Sequence, residues 1–123
     1  MVLLALTVLL GLAVYAFGPD VAASDIAGDA LYAVAVYLAV VIVVPRAGVL
    51  PIALVASTWC VAVELFQLTG LPLVWGAQFS PVMLALGTVF DARDLIVYLV
   101  AIVVVVVIDA VVRVMVSRAS ASR

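Results

Sequence analysis

The side chains best suited to chemistry are a carboxyl group and a carboxamide, Glu64 and Gln67, near the end of a long apolar run. On a helix, a spacing of three residues puts both on one face. Small side chains continue that face backwards in steps of three or four, a pattern typical of a membrane helix packed against neighbours: Ala53, Ser57 and Cys60. An ionisable group in such a position is costly unless it is paired, protonated or hydrated. We therefore expect Glu64 to have partners on other helices.

Further polar residues fall at the predicted depth of Glu64, near the starts of the second and the last apolar segments. Together the predicted polar cluster comprises Asp29, Tyr32, Glu64, Gln67, Arg93, Asp94 and Tyr98. Several carboxyl groups at one site cannot all remain charged cheaply, so we expect one of them, Glu64 in the first place, to be protonated or neutralised by Arg93. Two interpretations stay open: a hydrogen-bonded cluster that only holds the helices together, and a site for a ligand, an ion or a reaction.

The residue inventory limits the chemistry of this cluster. Paired acids suit general acid and base catalysis, but the chain has no histidine, no nucleophile beside a base and no metal-ligand spacing. Its one cysteine, Cys60, forms no intrachain disulfide and no cysteine and histidine metal site. We therefore predict no catalytic residue, no metal and no cofactor, with an acid-assisted intramembrane hydrolase or transferase as the enzymatic alternative.

The composition predicts an all-α integral membrane protein. Of 123 residues, 71% are hydrophobic and 10% are charged, and the mean hydropathy is +1.55, whereas soluble domains are about half apolar and a quarter charged. A net charge of −2 without any lysine excludes the basic surface that nucleic acids require. The first partner of this chain is therefore the lipid bilayer.

Apolar segments of about 20 residues fit a hydrocarbon core of about 30 Å. They predict a four-helix bundle in one transmembrane domain, residues 1–116, with spans at about 1–18, 27–44, 49–69 and 94–115. The first span lacks a preceding basic region, so we expect it to be retained and not cleaved as a signal peptide. Glycines and prolines interrupt residues 70–90, which predicts an interfacial or re-entrant segment between spans three and four.

The link between the first two spans collects Asp20, Asp25 and Asp29, and predicts a hydrated turn with a helix start at Asp25 or Asp29. The arginines predict the orientation. With both termini cytoplasmic, only Arg93 lies outside, and the inner side receives Arg46, Arg113, Arg118 and Arg123. The aspartates of the link and the polar cluster would then face outward.

Two features near the inner side are interpreted as structural. Asp109 and Arg113 are four residues apart, which permits an ion pair within one helix. The sequence from 117 to 123 is typical of a disordered cytoplasmic tail, whose Arg118 and Arg123 would meet anionic headgroups.

Four short motifs give the chain a family resemblance. They are Gly28–Ala33 (GDALYA), Glu64–Leu68 (ELFQL), Leu86–Phe90 (LGTVF) and Asp94–Tyr98 (DLIVY). In this order and approximate spacing they resemble the bacterial membrane proteins of domain of unknown function 2809. The chain is also similar, more distantly, to VanZ-like proteins, which would imply a role in the cell envelope, such as altered tolerance to glycopeptide antibiotics.

Two functions are compatible with these observations. With few reactive groups and little mass outside the membrane, the chain is expected to be a non-catalytic accessory or assembly subunit of a larger envelope complex, or a homo-oligomer. The alternative is an envelope protein that binds a lipid or small molecule in an external acidic pocket. Both predict a bacterial plasma membrane protein with several spans.

Overall fold

The described part of the chain folds into six α-helices, which correspond to its apolar segments. In the computed structural model, which describes residues 1–121, no strand is present. The predicted all-α class is therefore confirmed for these residues. The helices are α1 (Val2–Phe17), α2 (Ala22–Val43), α3 (Val49–Gln67), α4 (Leu71–Gln78), α5 (Pro81–Leu86) and α6 (Ala92–Ala121).

Three of these helices, α2, α3 and α6, are long and apolar enough to cross a membrane. They pack against one another around a small core to which each contributes: Ala33 and Tyr37 from α2, Ile52, Ala56 and Cys60 from α3, and Tyr98 and Ile102 from α6. Most of their other apolar side chains point outward. A soluble protein would not expose so much apolar surface, whereas lipid is a suitable solvent for it.

Helix α1 is set apart from this bundle. Its 16 residues extend about 24 Å at ~1.5 Å per residue, which is shorter than a hydrocarbon core of about 30 Å. Within the described part of the chain, it packs against α2 and no other helix. The fourth span of the bundle therefore stays a prediction.

Prolines and glycines end the helices where the sequence indicates. Pro45 follows the end of α2, and Pro51 is accommodated in the first turn of α3. Gly70 and Gly87 take left-handed φ values of 71° and 64° and delimit α4 and α5. These two helices have 8 and 6 residues, too few to cross about 30 Å of hydrocarbon. An interfacial or re-entrant position for this segment stays a prediction.

Helix boundaries differ from the predictions at several points. Helix α2 begins at Ala22 and not near residue 27, so Asp25 lies in its first turn and Asp29 in its second, and neither starts the helix. Hydropathy places the start of this helix too late, because residues 22–29 combine alanines, which favour helix, with polar side chains, which lower the hydropathy. Helix α3 ends at Gln67 and not at residue 69, since the left-handed Gly70 follows.

Helix α6 is longer than predicted at both ends. It begins at Ala92, because Asp91 Oδ1 accepts a hydrogen bond from the Arg93 backbone N–H at 2.8 Å, as an N-cap residue does. It continues to Ala121, so the prediction of a disordered tail is wrong for residues 117–121, where alanine and arginine sustain the helix. Ser122 and Arg123 lie outside the described residues, together with the predicted headgroup contact of Arg123.

Candidate functional site

Glu64 lies in the interior of the bundle, at the end where α3 finishes and α6 begins. Its side chain is 0% exposed. Oε1 accepts a hydrogen bond from the Asp91 backbone N–H at 2.7 Å, which fastens α3 to the start of α6. The other oxygen, Oε2, has no hydrogen-bond partner within 3.5 Å among residues 1–121, although the Tyr98 hydroxyl lies near enough to donate to the carboxyl group and Asp94 also interacts with it. A buried acceptor without a donor carries a free-energy cost.

Gln67 has a second buried atom of this kind. Its side chain is 6% exposed, and Nε2 donates a hydrogen bond to the Leu86 carbonyl at 2.9 Å. Because a carbonyl only accepts, the amide must present its nitrogen there, and this fixes Oε1 as the unpaired atom. Gly87 permits the contact, since a Cβ at this position would collide with Nε2.

Arg93 is the only basic side chain at this end of the described chain, and three carboxyl groups surround it. Its guanidinium lies 3.8 Å from Asp25, 3.6 Å from Asp91 and 3.4 Å from Asp94. The arginine side chain is 38% exposed, so these pairs lie at the rim of the site, where water weakens them.

Asp29 faces the same place from α2. Its carboxyl group approaches that of Asp94 closely enough for a shared hydrogen bond when one of them is protonated, and it also interacts with Glu64. We call Asp25, Asp29, Glu64, Asp91 and Asp94, with Arg93, the carboxyl cluster. It contains five acidic groups and one basic group.

Tyr32 connects the cluster to the rest of the bundle. Its hydroxyl donates a hydrogen bond to the Ala85 carbonyl at 2.7 Å and accepts one from Trp59 Nε1 at 3.0 Å. Its ring lies 5.9 Å from that of Tyr98, centroid to centroid. One side chain thus joins α2 to α3, α5 and α6 and closes the cluster on its inner side.

A cavity of about 1120 Å³ adjoins the carboxyl cluster. It runs between α1 on one side and α5 with residues 87–94 on the other, and α2 forms its floor. Its apolar walls include Leu4, Val8, Leu12, Leu31, Ala35 and Met83, and its polar end includes Asp29, Gln67, Arg93 and Asp94. We call this cavity the lateral groove.

A second polar cluster lies farther along α6. Arg113 Nε donates to Asp109 Oδ1 at 2.9 Å, and Arg113 Nη1 donates to the Ala47 carbonyl at 2.9 Å. The Tyr37 hydroxyl donates to the other carboxyl oxygen, Asp109 Oδ2, at 2.7 Å. We call Tyr37, Asp109 and Arg113 the Asp109 cluster. It ties α6 to α2 and to the turn before α3.

Six of the seven residues predicted as one polar cluster meet at one end of the bundle, through the contacts given above, and the seventh, Gln67, lines the groove beside them. Sequence reasoning missed Asp25, Asp91, Trp59, Gly87 and the partners of Asp109, which are Tyr37 and the Ala47 carbonyl. The place of Asp91 directly before a helix is a signal that was available. For Trp59 and Tyr37 the sequence offers none, because their partners depend on how the helices cross.

Helices of this length and hydropathy, around a buried polar cluster, define a helical membrane protein. The chain belongs to the family of proteins of unknown function DUF2809, whose family model matches residues 19–102. The predicted family is therefore confirmed, and the similarity to VanZ-like proteins stays a prediction. The matched range contains the carboxyl cluster, whereas the whole of α1 and both Asp109 and Arg113 lie outside it. Searches of curated proteins and of solved structures found no match.

Proposed function

We propose that this protein binds an amphiphile from the bilayer in the lateral groove. The observation that carries the proposal is the groove's division into apolar walls and a polar end formed by Asp29, Gln67 and Asp94. A molecule with a hydrocarbon chain and a polar headgroup matches both parts at once.

The size of the groove supports a ligand larger than a metabolite fragment. Its volume of about 1120 Å³ lies just above the ~300–1,000 Å³ that is usual for small-molecule sites. Its long axis follows α1 and α2, whose facing side chains are aliphatic near the middle of both helices. An acyl chain would lie along these helices while its headgroup reaches the carboxyl cluster.

The groups at the polar end favour binding over catalysis. They are carboxyl groups, one carboxamide, one guanidinium and tyrosine hydroxyls, all of which form hydrogen bonds readily. The one cysteine of the chain, Cys60, is fully buried in the helix core and is not available as a nucleophile. A non-catalytic role is accordingly part of the proposal.

The proposal includes a location. We place the protein in the bacterial plasma membrane, as the resemblance to bacterial membrane proteins implies, and the distribution of arginines favours cytoplasmic termini, so the carboxyl cluster would face outward. The amphiphile would then be a lipid of the outer leaflet.

The test fills the groove at Gly28. This glycine lines the groove, and a Cβ built on it meets nothing within 4 Å. Leucine there would occupy the groove, and it also favours helix over glycine by about 0.8 kcal/mol. Lipid retained by the purified protein, counted by native mass spectrometry, should fall from about one molecule in the wild type to near zero in Gly28→Leu.

Two control variants separate filling from general damage. Gly28→Ala gains the same backbone preference but little volume, so it should retain an intermediate amount of lipid. Ala62→Leu adds a leucine at an exposed position of α3, away from the groove, and should retain as much lipid as the wild type. Equal retention in Gly28→Leu and Ala62→Leu would rule out the groove as the binding site.

A second candidate is an accessory or assembly subunit. The isolation of α1 favours it, because among the described residues this helix contacts no helix other than α2, and the helix of a partner protein would fit beside it. A tagged protein, mildly solubilised from native membrane, should then co-purify with a stoichiometric partner. Migration only as a monomer or small homo-oligomer would exclude the role in a larger complex.

A further inference from the structure

We infer that the amphiphile bound in the lateral groove carries a primary ammonium headgroup. The inference rests on the proposed groove binding and adds the chemistry of the headgroup. Its starting point is the kind of atom left unpaired next to the groove.

An unpaired buried acceptor borders the groove. Gln67 Oε1 lacks a donor among the described residues, on a side chain that is 6% exposed. Gln67 itself lines the groove. A buried carboxyl or amide oxygen without a donor costs about 1–3 kcal/mol, so a ligand that donates hydrogen bonds would recover this free energy.

The charges around the groove favour a cation. The carboxyl cluster has five acidic groups and one guanidinium, and Arg93 already faces Asp25, Asp91 and Asp94. Asp29 has no arginine within 4.0 Å in the described residues and stands against Asp94. A positive headgroup would relieve this repulsion, whereas an anionic headgroup would add to it.

Hydrogen-bonding capacity distinguishes among cations. A primary ammonium has three N–H donors and no acceptor. It can therefore supply donors to Gln67 Oε1, Asp29 and a further carboxyl oxygen at the same time. A quaternary ammonium has the same charge and no donor, so it would leave the oxygens unpaired.

The experiment compares lipids that differ only in methylation of the amine. The full-length protein, reconstituted in mixed micelles, is offered equimolar dioleoyl phosphatidylethanolamine and phosphatidylcholine, and bound lipid is counted by native mass spectrometry. We expect the ethanolamine lipid to be at least about tenfold enriched, which corresponds to about 1.4 kcal/mol. The monomethyl and dimethyl forms should bind in between, in the order of their remaining N–H donors.

Matched variants locate the preference in the cluster. Asp29→Asn removes an acceptor from the groove and should bring the ratio close to one. Asp109→Asn makes the same substitution in the Asp109 cluster, which does not line the groove, and should keep the preference.

The wild-type ratio decides the inference without any variant. Equal binding of the ethanolamine and choline lipids would overturn it, as would preference for the anionic phosphatidylglycerol in the same assay. If Gly28→Leu still removes bound lipid in that case, the groove remains the binding site and only the headgroup assignment fails. If Gly28→Leu removes nothing, the proposed function itself fails.

Discussion

The two polar clusters of the bundle differ in how completely their hydrogen-bonding groups are satisfied. In the Asp109 cluster one acid meets one base, and each carboxyl oxygen has a donor. In the carboxyl cluster five acids share one base, and two buried acceptors have no partner within residues 1–121. Polar groups inside a membrane protein are costly unless paired. The comparison separates a cluster that holds helices together from one that has capacity for a ligand.

A large effect is expected from breaking the satisfied cluster. Arg113→Met removes the donors to Asp109 Oδ1 and the Ala47 carbonyl. Hydrogen bonds between membrane helices contribute about 0.6 kcal/mol on average and up to about 1.7, and the arginine is 37% exposed. We therefore expect a loss of about 1–2 kcal/mol in the free energy of unfolding, measured by denaturing detergent titration.

Arg118→Met is the matched control for this variant, since Arg118 is an exposed arginine on the same helix. Its free energy of unfolding should equal that of the wild type. Glu64→Gln, in the carboxyl cluster, should keep or increase stability, because it replaces an unpaired acceptor by a donor among carboxyl groups. A larger loss for Glu64→Gln than for Arg113→Met would reverse the assignment of roles to the two clusters.

A similar or larger effect is expected at Gly87. Alanine there collides with Gln67 Nε2 and must take a φ of 64° and a ψ of −162°, a conformation that is almost confined to glycine. Gly70→Ala faces a φ of 71° and a ψ of −6°, the left-handed helical region, with open space around it. The backbone cost should be about 1 kcal/mol at Gly70 and up to about 3 kcal/mol at Gly87, where the displaced hydrogen bond adds about another 1 kcal/mol.

Measuring how much lipid the Gly87→Ala and Gly70→Ala variants retain also tests the proposed function. Gly87→Ala should lose bound lipid, while Gly70→Ala, which is no part of the groove, should keep it. If both variants lose stability and lipid to the same extent, then Gln67 is not held in a specific position by its contact with Leu86.

The smallest effect on stability is expected at Arg93. Its contacts are at the rim, at 3.4 Å or more, and exposed ion pairs contribute little. Arg93→Gln should leave thermal unfolding within error of the wild type but increase retention of the ethanolamine lipid a few-fold, because it removes the one competing positive charge. Unchanged or weaker retention would contradict the electrostatic part of the headgroup assignment.

Much of the fold follows from the sequence because membrane helices are encoded by long apolar runs. The helix at 49–67 and the start of α6 at residue 92 were predicted within two residues for this reason, whereas the end of α6 at residue 121 lies six residues beyond the predicted 115. The start of α2 was not predicted, because a mixture of alanine, serine and aspartate has low hydropathy and still favours helix. The convergence of Asp29, Glu64 and Asp94 was predictable once the ends of three helices were placed together.

The individual partners in both clusters were not predictable. Whether Tyr37 reaches Asp109 depends on the angle at which α2 and α6 cross. That angle in turn depends on how closely the helices approach at small core residues such as Ala33. The pairing of Gln67 with Leu86 depends on two short helices whose boundaries are set by glycines with left-handed φ. Hydropathy contains no information on either.

The separation of α1 from all helices except α2 has a consequence for how a ligand would arrive. In the proposed membrane position, an opening beside α1 would face the hydrocarbon phase sideways, so an amphiphile would diffuse in within the leaflet and not through water. Lipids are present there at high local concentration, and high local concentration offsets weak intrinsic affinity. Occupancy of the groove would then follow the mole fraction of the lipid in that leaflet, and the protein would respond to changes in membrane composition.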